Sequence, residues 1–281
     1  MATHIPVNGG AAEHGAAEDA LQRQLSGREL FGDSFSPAQI AQWREQTDEF
    51  HRAHPHQAYQ YGTLDRFHLL GGLLDGHYAQ CVALGCADAE ELRPLAPVVD
   101  QFIALEPLER LWRSEIAGKP IRYGKPSVNG NMAIESSSVD LVVALDVLHH
   151  IANVSHLLAE IARVLKPGGL LAVREPISSM GDWREARPGM TPYERGLPVA
   201  WFKSAAQARG LHIVRERLCL FAPLSKVLMR LNVRPPLKHR PLVLLDWLLS
   251  ESLRWNVRYR RSGALSKLAP SSAAWLLRKS A

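Results

Sequence analysis

The chain has 281 residues, 46% of them hydrophobic and 22% charged. That balance fits a soluble globular protein of one large or two small domains, and it excludes a disordered, collagenous or disulfide-stapled chain. Net charge is +5, but residues 218–281 hold 12 Lys/Arg against Asp246 and Glu251, while the preceding 217 residues hold 21 against 26. Only that basic quarter is suited to phosphate, an acidic glycan or an anionic membrane face.

Residues 1–26 read as a flexible leader with no signal peptide, because no basic segment leads into an apolar run. An N-terminal helical cap is expected over 27–77. Its first helix opens at Ser36-Pro37, a cap followed by proline. Ile40, Trp43, Thr47 and Phe50 then recur at helical spacing until His54-Pro55. A second helix is expected near 60–75, with Leu64, Phe67, Leu70 and Leu74 on one stripe. From Gln80, short apolar runs at 81–84, 101–105, 141–145, 170–173 and 211–214 suit parallel strands covered on both faces. Helical stretches are expected between them at 90–95, 108–116 and 155–165, the last ended by Lys166-Pro167-Gly168-Gly169. This alternation predicts an α/β, doubly wound sheet over 78–221. A basic helical insertion at 222–270 precedes a final core strand within 271–281. The apolar run 242–249 is too short to span a bilayer and carries Asp246. Cys81, Cys86 and Cys219 are too scattered for a disulfide framework and suit a reducing cytoplasm.

Ligands of such sheets bind beyond the carboxyl ends of the strands. The residues there are Gly85-Cys86-Ala87-Asp88-Ala89, Glu106-Pro107, Asp146 with His149 and His150, and Glu175-Pro176. Together with the runs VDLVVALDVLHHI and HLLAEIARVLKPGGLLAVREP, they resemble, in order and spacing, the class I S-adenosylmethionine (SAM)-dependent methyltransferases of the small-molecule type, methyltransferase type 11-like. The resemblance covers about 78–214, and the terminal AAWLLRK is similar to the family's last, antiparallel strand. It implies a mostly parallel, seven-stranded Rossmann-like sheet and SAM as cofactor. It also implies methyl transfer, with O-methylation of a small-molecule or glycan-type acceptor as the expected reaction.

The resemblance assigns Gly85, Cys86, Ala87 and Asp88 to the cofactor's amino-acid part, Glu106 to both ribose hydroxyls, Asn131 and Met132 to adenine, and Asp146 to the same site. The family's Asp/Glu-x-Gly-x-Gly-x-Gly reads Ala83-Leu84-Gly85-Cys86-Ala87-Asp88-Ala89 here. The strand acid is missing and two glycines are alanine. An added methyl group fits if φ stays negative, and Asp88 is the candidate to stand in for the lost acid. His150, His149 and Glu175 are alternative bases for an alcohol acceptor. In the segment 179–196, which distantly resembles loops of methyltransferases associated with surface polysaccharide synthesis, Trp183 offers a face for a sugar or apolar ligand. Arg184, Arg187 and Arg195 there could hold a carboxylate or phosphate.

His51, His54 and His56 straddle a proline at a helix end, so no metal site is expected. The absence of G-x-G-x-x-G disfavours a nicotinamide enzyme. No Asn/Asp-Pro-Pro-aromatic turn or Pro-Cys pair is present, so nucleic acid is a disfavoured partner and RNA methylation a third reading. The insertion alternates Arg with Leu, Trp247, Trp255 and Tyr259, which suits peripheral contact with an anionic membrane or an acidic substrate. A catalytically inactive module acting through 222–270 is the alternative from another class. The expected location is cytoplasmic, with the inner membrane face as an option.

Overall fold

The structure is a computed structural model, which describes residues 35–54, 58–181, 187, 190–191, 194–233 and 235–281. The first helix, α1 (Pro37–Ala53), starts where the sequence places it. Ser36 accepts from the Gln39 N–H, and the Gln39 side chain accepts in return from the Ser36 N–H at 2.8 Å. Such a reciprocal cap stabilises a helix by about 1 kcal/mol. On its inner face Trp43 is buried and donates from Nε1 to the carbonyl of His150 at 3.0 Å. The second expected helix is split into α2 (Gly62–His68) and a tight turn at Leu70–Leu73.

Eight strands form one sheet: β1 (Tyr78–Leu84), β2 (Val99–Leu105), β3 (Glu115–Ile116), β4 (Lys119–Gly124), β5 (Val139–Leu145), β6 (Leu165–Pro176), β7 (Leu211–Phe221) and β8 (Pro270–Lys279). Their order is β3-β4-β2-β1-β5-β6-β8-β7. Strands β4, β2, β1, β5 and β6 are parallel, and β8 enters antiparallel between β6 and β7. Strand order reverses at β1, and Leu84 lies level with Leu105 on one side and Ala144 on the other. The turns after β1, β2 and β5 are therefore neighbours.

Cys81, Val82, Ala83 and Leu84 are all buried because both faces of β1 are covered. One core packs α3 (Val154–Val164) and α4 (Val199–Gln207) against the sheet, with Phe202 stacked on Trp275. The other holds Leu64, Leu70, Leu73, Leu92 and Leu95 against the opposite face. Each fully buried leucine contributes about 1.5–3 kcal/mol. Leu64, Leu70 and Leu73 of the cap thus belong to the second of the sheet's two cores.

Two expectations fail. The stretch 108–116 is not a helix. It holds one short turn at Glu109–Leu111 and then β3, which pairs back on β4. Ala117 and Gly118, at φ +50° and +77°, make the reversal. The sheet consequently has eight strands rather than seven, because KPIRYG alternates like an exposed segment and starts beside a proline. The insertion is helical as expected, with α5 (Ala222–Arg230) and α6 (Arg240–Ser252).

Candidate functional site

The turn after β1 keeps a glycine-like backbone without the glycines. Gly85, Ala87 and Ala89 have φ of +57°, +48° and +60°. The condition of negative φ is not met at the two alanines; each accepts a left-handed conformation that costs about 1–2 kcal/mol for a residue with Cβ. Gly85 is needed for space as well, since an added Cβ would lie 2.3 Å from Val147 Cγ2.

Glu106, at the end of β2, explains how the turn is held. Its Oε2 accepts from the Ala87 N–H and its Oε1 from the Leu108 N–H, both at 2.9 Å. Trp112 Nε1 donates to the Glu106 carbonyl and stacks on Tyr123, whose hydroxyl donates to the Ala87 carbonyl. Glu106 is only 4% exposed.

Other assignments for this turn change. Cys86 is buried in the core, where burial pushes its thiol pKa well up. Asp88 is drawn away by Arg113, 2.7 Å from it. The acid facing inward is Glu91, one turn further on. It is buried, and its Oε1 has no hydrogen-bond partner among the described residues. Burial, together with Asp65, Asp146 and Glu106 nearby, holds its carboxyl well above the usual range.

Strand β6 ends in Arg174-Glu175, whose side chains point to opposite faces of the sheet. On one face Arg174, fully buried, donates from Nε to Asp65 at 2.5 Å and from Nη1 to Asp146 at 2.5 Å. Its guanidinium lies 4.5 Å from the centre of the Tyr61 ring, and Tyr59 hydrogen-bonds to Asp65. On the other face Glu175, also fully buried, accepts from the N–H groups of Val147, Leu148 and His149. The two side chains clamp the turn after β5 from both sides.

Glu175 further binds His149 Nδ1 at 2.7 Å, which leaves His149 Nε2 facing Glu194 Oε1 at 3.7 Å. Burial opposes the charged imidazolium, but the charge of Glu175 and its hydrogen bond raise the His149 pKa above 6.5. His150 behaves oppositely: burial, with His149 and His51 beside it, pushes its pKa well down. His150 Nδ1 bonds to Thr191 Oγ1 at 2.9 Å, and Thr191 in turn donates to Glu194 at 3.0 Å. Glu175 has no reach to an outside proton, so of the three candidate bases His149, although itself buried, is the one oriented by a carboxylate at Nδ1. His149, His150 and Glu194 bring ligand atoms within 4.8 Å of one another. Thr191 already joins His150 to Glu194, so the cluster reads as a proton-handling network.

Further candidates are dispersed. Asn131 is exposed and tied to His156 Nε2 at 2.7 Å, while Met132 packs in the core. The open apolar side chain on the β4–β5 connection is instead Val128, 54% exposed. Arg187 donates to the carbonyls of Met180 and Glu194. Arg195 is buried against the Trp43 ring at 4.3 Å, donates to the Ala152 carbonyl, and has its pKa pushed down to about 9 by burial. Both arginines thus support the loop rather than face an acceptor. Trp183, Arg184 and His56 lie outside the described residues. Glu91, Asp65, Arg174 and Glu194 were missed. The one local signal was Arg174, a cation within an otherwise apolar strand end, where a buried charge requires a partner.

Residues 82–173 match the family model described as a methyltransferase domain. Anamorsin homolog 2 of Picea sitchensis is 35% identical over 83 residues, 30% of this chain and 27% of that protein. The chain thus spans about a quarter of the length of that curated relative. A solved protein from Galdieria sulphuraria, assigned as a sarcosine dimethylglycine methyltransferase, is 19% identical, with 93% of this chain and 98% of that chain covered and a TM-score of 0.50. One from Listeria monocytogenes, assigned as an S-adenosylmethionine-dependent methyltransferase, is 12% identical over 79% of this chain and all of the other, also at 0.50. At such identities the likeness shows the fold.

Proposed function

From a chain that carries a methyltransferase domain in the class I methyltransferase fold, we infer a SAM-dependent methyltransferase whose acceptor is a hydroxyl of a small molecule or glycan. The observation that carries this reading is the left-handed backbone at residues 85, 87 and 89 beside the Glu106 carboxylate. The residues fit the group. Glu106 places a carboxylate, an acceptor suited to a ribose diol, beside this turn, and the orphaned oxygen of Glu91 is an acceptor for a donor such as an ammonium N–H. Val128 offers adenine an apolar surface. Bound SAM supplies an electrophilic methyl group.

This chain's own part is positioning and proton removal. Methyl transfer requires the acceptor atom close to and in line with the methyl group. A hydroxyl acceptor must also lose a proton, whereas a neutral amine or a thiolate attacks without a base. His149 is suited to take that proton at Nε2, because Glu175 holds its Nδ1 and Glu194 lies where it would stabilise the resulting imidazolium. This arrangement favours oxygen as the methylated atom.

A second reading has an observation of its own. Both Glu106 oxygens are already matched by backbone N–H groups and the residue is nearly buried, which suits an inactive binding module. Calorimetry with SAM and S-adenosylhomocysteine separates the two. Binding by the wild type that is lost in Glu106→Ala upholds the enzyme, and the absence of binding by the wild type upholds the module. Labelled-methyl transfer to fractionated extract then identifies the acceptor.

A further inference from the structure

We propose that the face formed by the 222–268 insertion docks on an anionic lipid bilayer. Among the described residues, twelve large apolar side chains are exposed, and nine of them lie in this segment. Their placement inverts the usual helix pattern. In α6 the face turned to β7 carries Val243, Asp246 and Ser250, all buried, with Asp246 accepting from the N–H groups of Leu220 and Phe221. The leucines lie outside instead: Leu244, Leu245 and Leu248 are 42%, 42% and 50% exposed. In α5 only Leu228 is buried, while Val227, Met229 and the adjoining Leu231 are open to solvent. Trp255 is 73% exposed, and an indole with an apolar ring and a polar edge belongs at a headgroup boundary.

Charge selects the occupant. Lys226 and Arg230 are interleaved with Val227 and Met229, and Arg258, Arg260 and Lys267 follow, all exposed. None of these five lies within ion-pair distance of a carboxylate among the described residues. Unpaired cations around exposed apolar side chains match acyl-chain boundary and anionic headgroups together, whereas a second copy of this chain would bring the same positive charge to the contact. No described helix is long and apolar enough to cross a membrane, so the contact is peripheral. The inference does not depend on the methyltransferase reading, since it is argued from the surface of the 222–268 segment alone.

The test is sedimentation of the full chain with phosphatidylcholine vesicles, with and without phosphatidylglycerol. Binding is expected only with phosphatidylglycerol, declining as salt rises from about 0.05 M to about 0.5 M. The pair Lys226→Glu and Arg230→Glu weakens it by roughly tenfold or more, and the pair Leu245→Asp and Leu248→Asp abolishes it. All four positions are exposed, so circular dichroism and melting temperature stay unchanged. Failure to bind anionic vesicles overturns the proposal. So does binding that ignores these substitutions, a dimer broken by Leu248→Asp in a chain that leaves vesicles alone, or salt-sensitive RNA binding in their place.

Discussion

Ala87 and Ala89 adopt φ values that glycine takes without strain. Replacing either by glycine removes the Cβ clash but loosens the unfolded chain, leaving a net gain of about 0.5–1 kcal/mol. Denaturant midpoints of Ala87→Gly and Ala89→Gly check this. His149 offers a kinetic counterpart. Its proton-accepting form is neutral and its pKa lies above 6.5, so kcat/KM rises with pH through a limb above that value. Loss of the Glu175 charge in Glu175→Gln moves the limb to lower pH. His149→Ala lowers kcat by about 10²–10⁴-fold. A chelator leaves the rate unchanged if Thr191 rather than a metal joins the cluster.

At the scale of elements, the connection into β5 is held by α3 more than by its own sequence. Glu160 accepts from the Met132 N–H at 2.9 Å, and Arg163 donates to Glu160 and to the carbonyls of Met132 and Ile134. The Arg163 side-chain hydrogen bond, which outweighs the opposing effect of burial, and the Met132 N–H hold Glu160 down at about 2. A depressed carboxyl pKa contributes stability at neutral pH, and that contribution is lost as pH falls from the unfolded value near 4.5 through about 2. With Arg163 35% exposed and screened, Glu160→Gln costs about 1–2 kcal/mol at pH 7. The difference from wild type disappears in acid unfolding below about pH 2. The hairpin β3–β4 shows the limit of local reading in the same region: its turn at Ala117-Gly118 carries no apolar periodicity, so the segment passes for a continued helix.

For the whole molecule, one buried ion pair joins distant parts. Asp65 and Arg174 are 109 residues apart and both fully buried. Truncating one partner leaves an uncompensated buried charge, so Asp65→Ala or Arg174→Met costs about 3–5 kcal/mol. The double variant costs less than the two single variants added together, as denaturant unfolding of all three would show. Because the same guanidinium holds Asp146, the single variants also loosen the turn after β5 and weaken cofactor binding in calorimetry.

The chain by itself determined the strand–helix alternation, the glycine turn after β1, the acid closing β2 and the helical nature of the insertion. Each of these follows from short-range periodicity, turn chemistry or capping, which neighbouring residues decide. Only the tertiary structure decided which acid faces the site, since Asp88 is captured by Arg113 while Glu91 is buried beside Asp65 and Asp146. The same holds for the base, since His149 and His150 are adjacent in sequence yet have opposite pKa shifts. Burial lowers both, and their difference comes from Glu175 on a neighbouring strand, whose charge and hydrogen bond raise His149 alone. A buried charge takes its properties from whatever the fold brings within a few ångströms, and that is set by long-range packing.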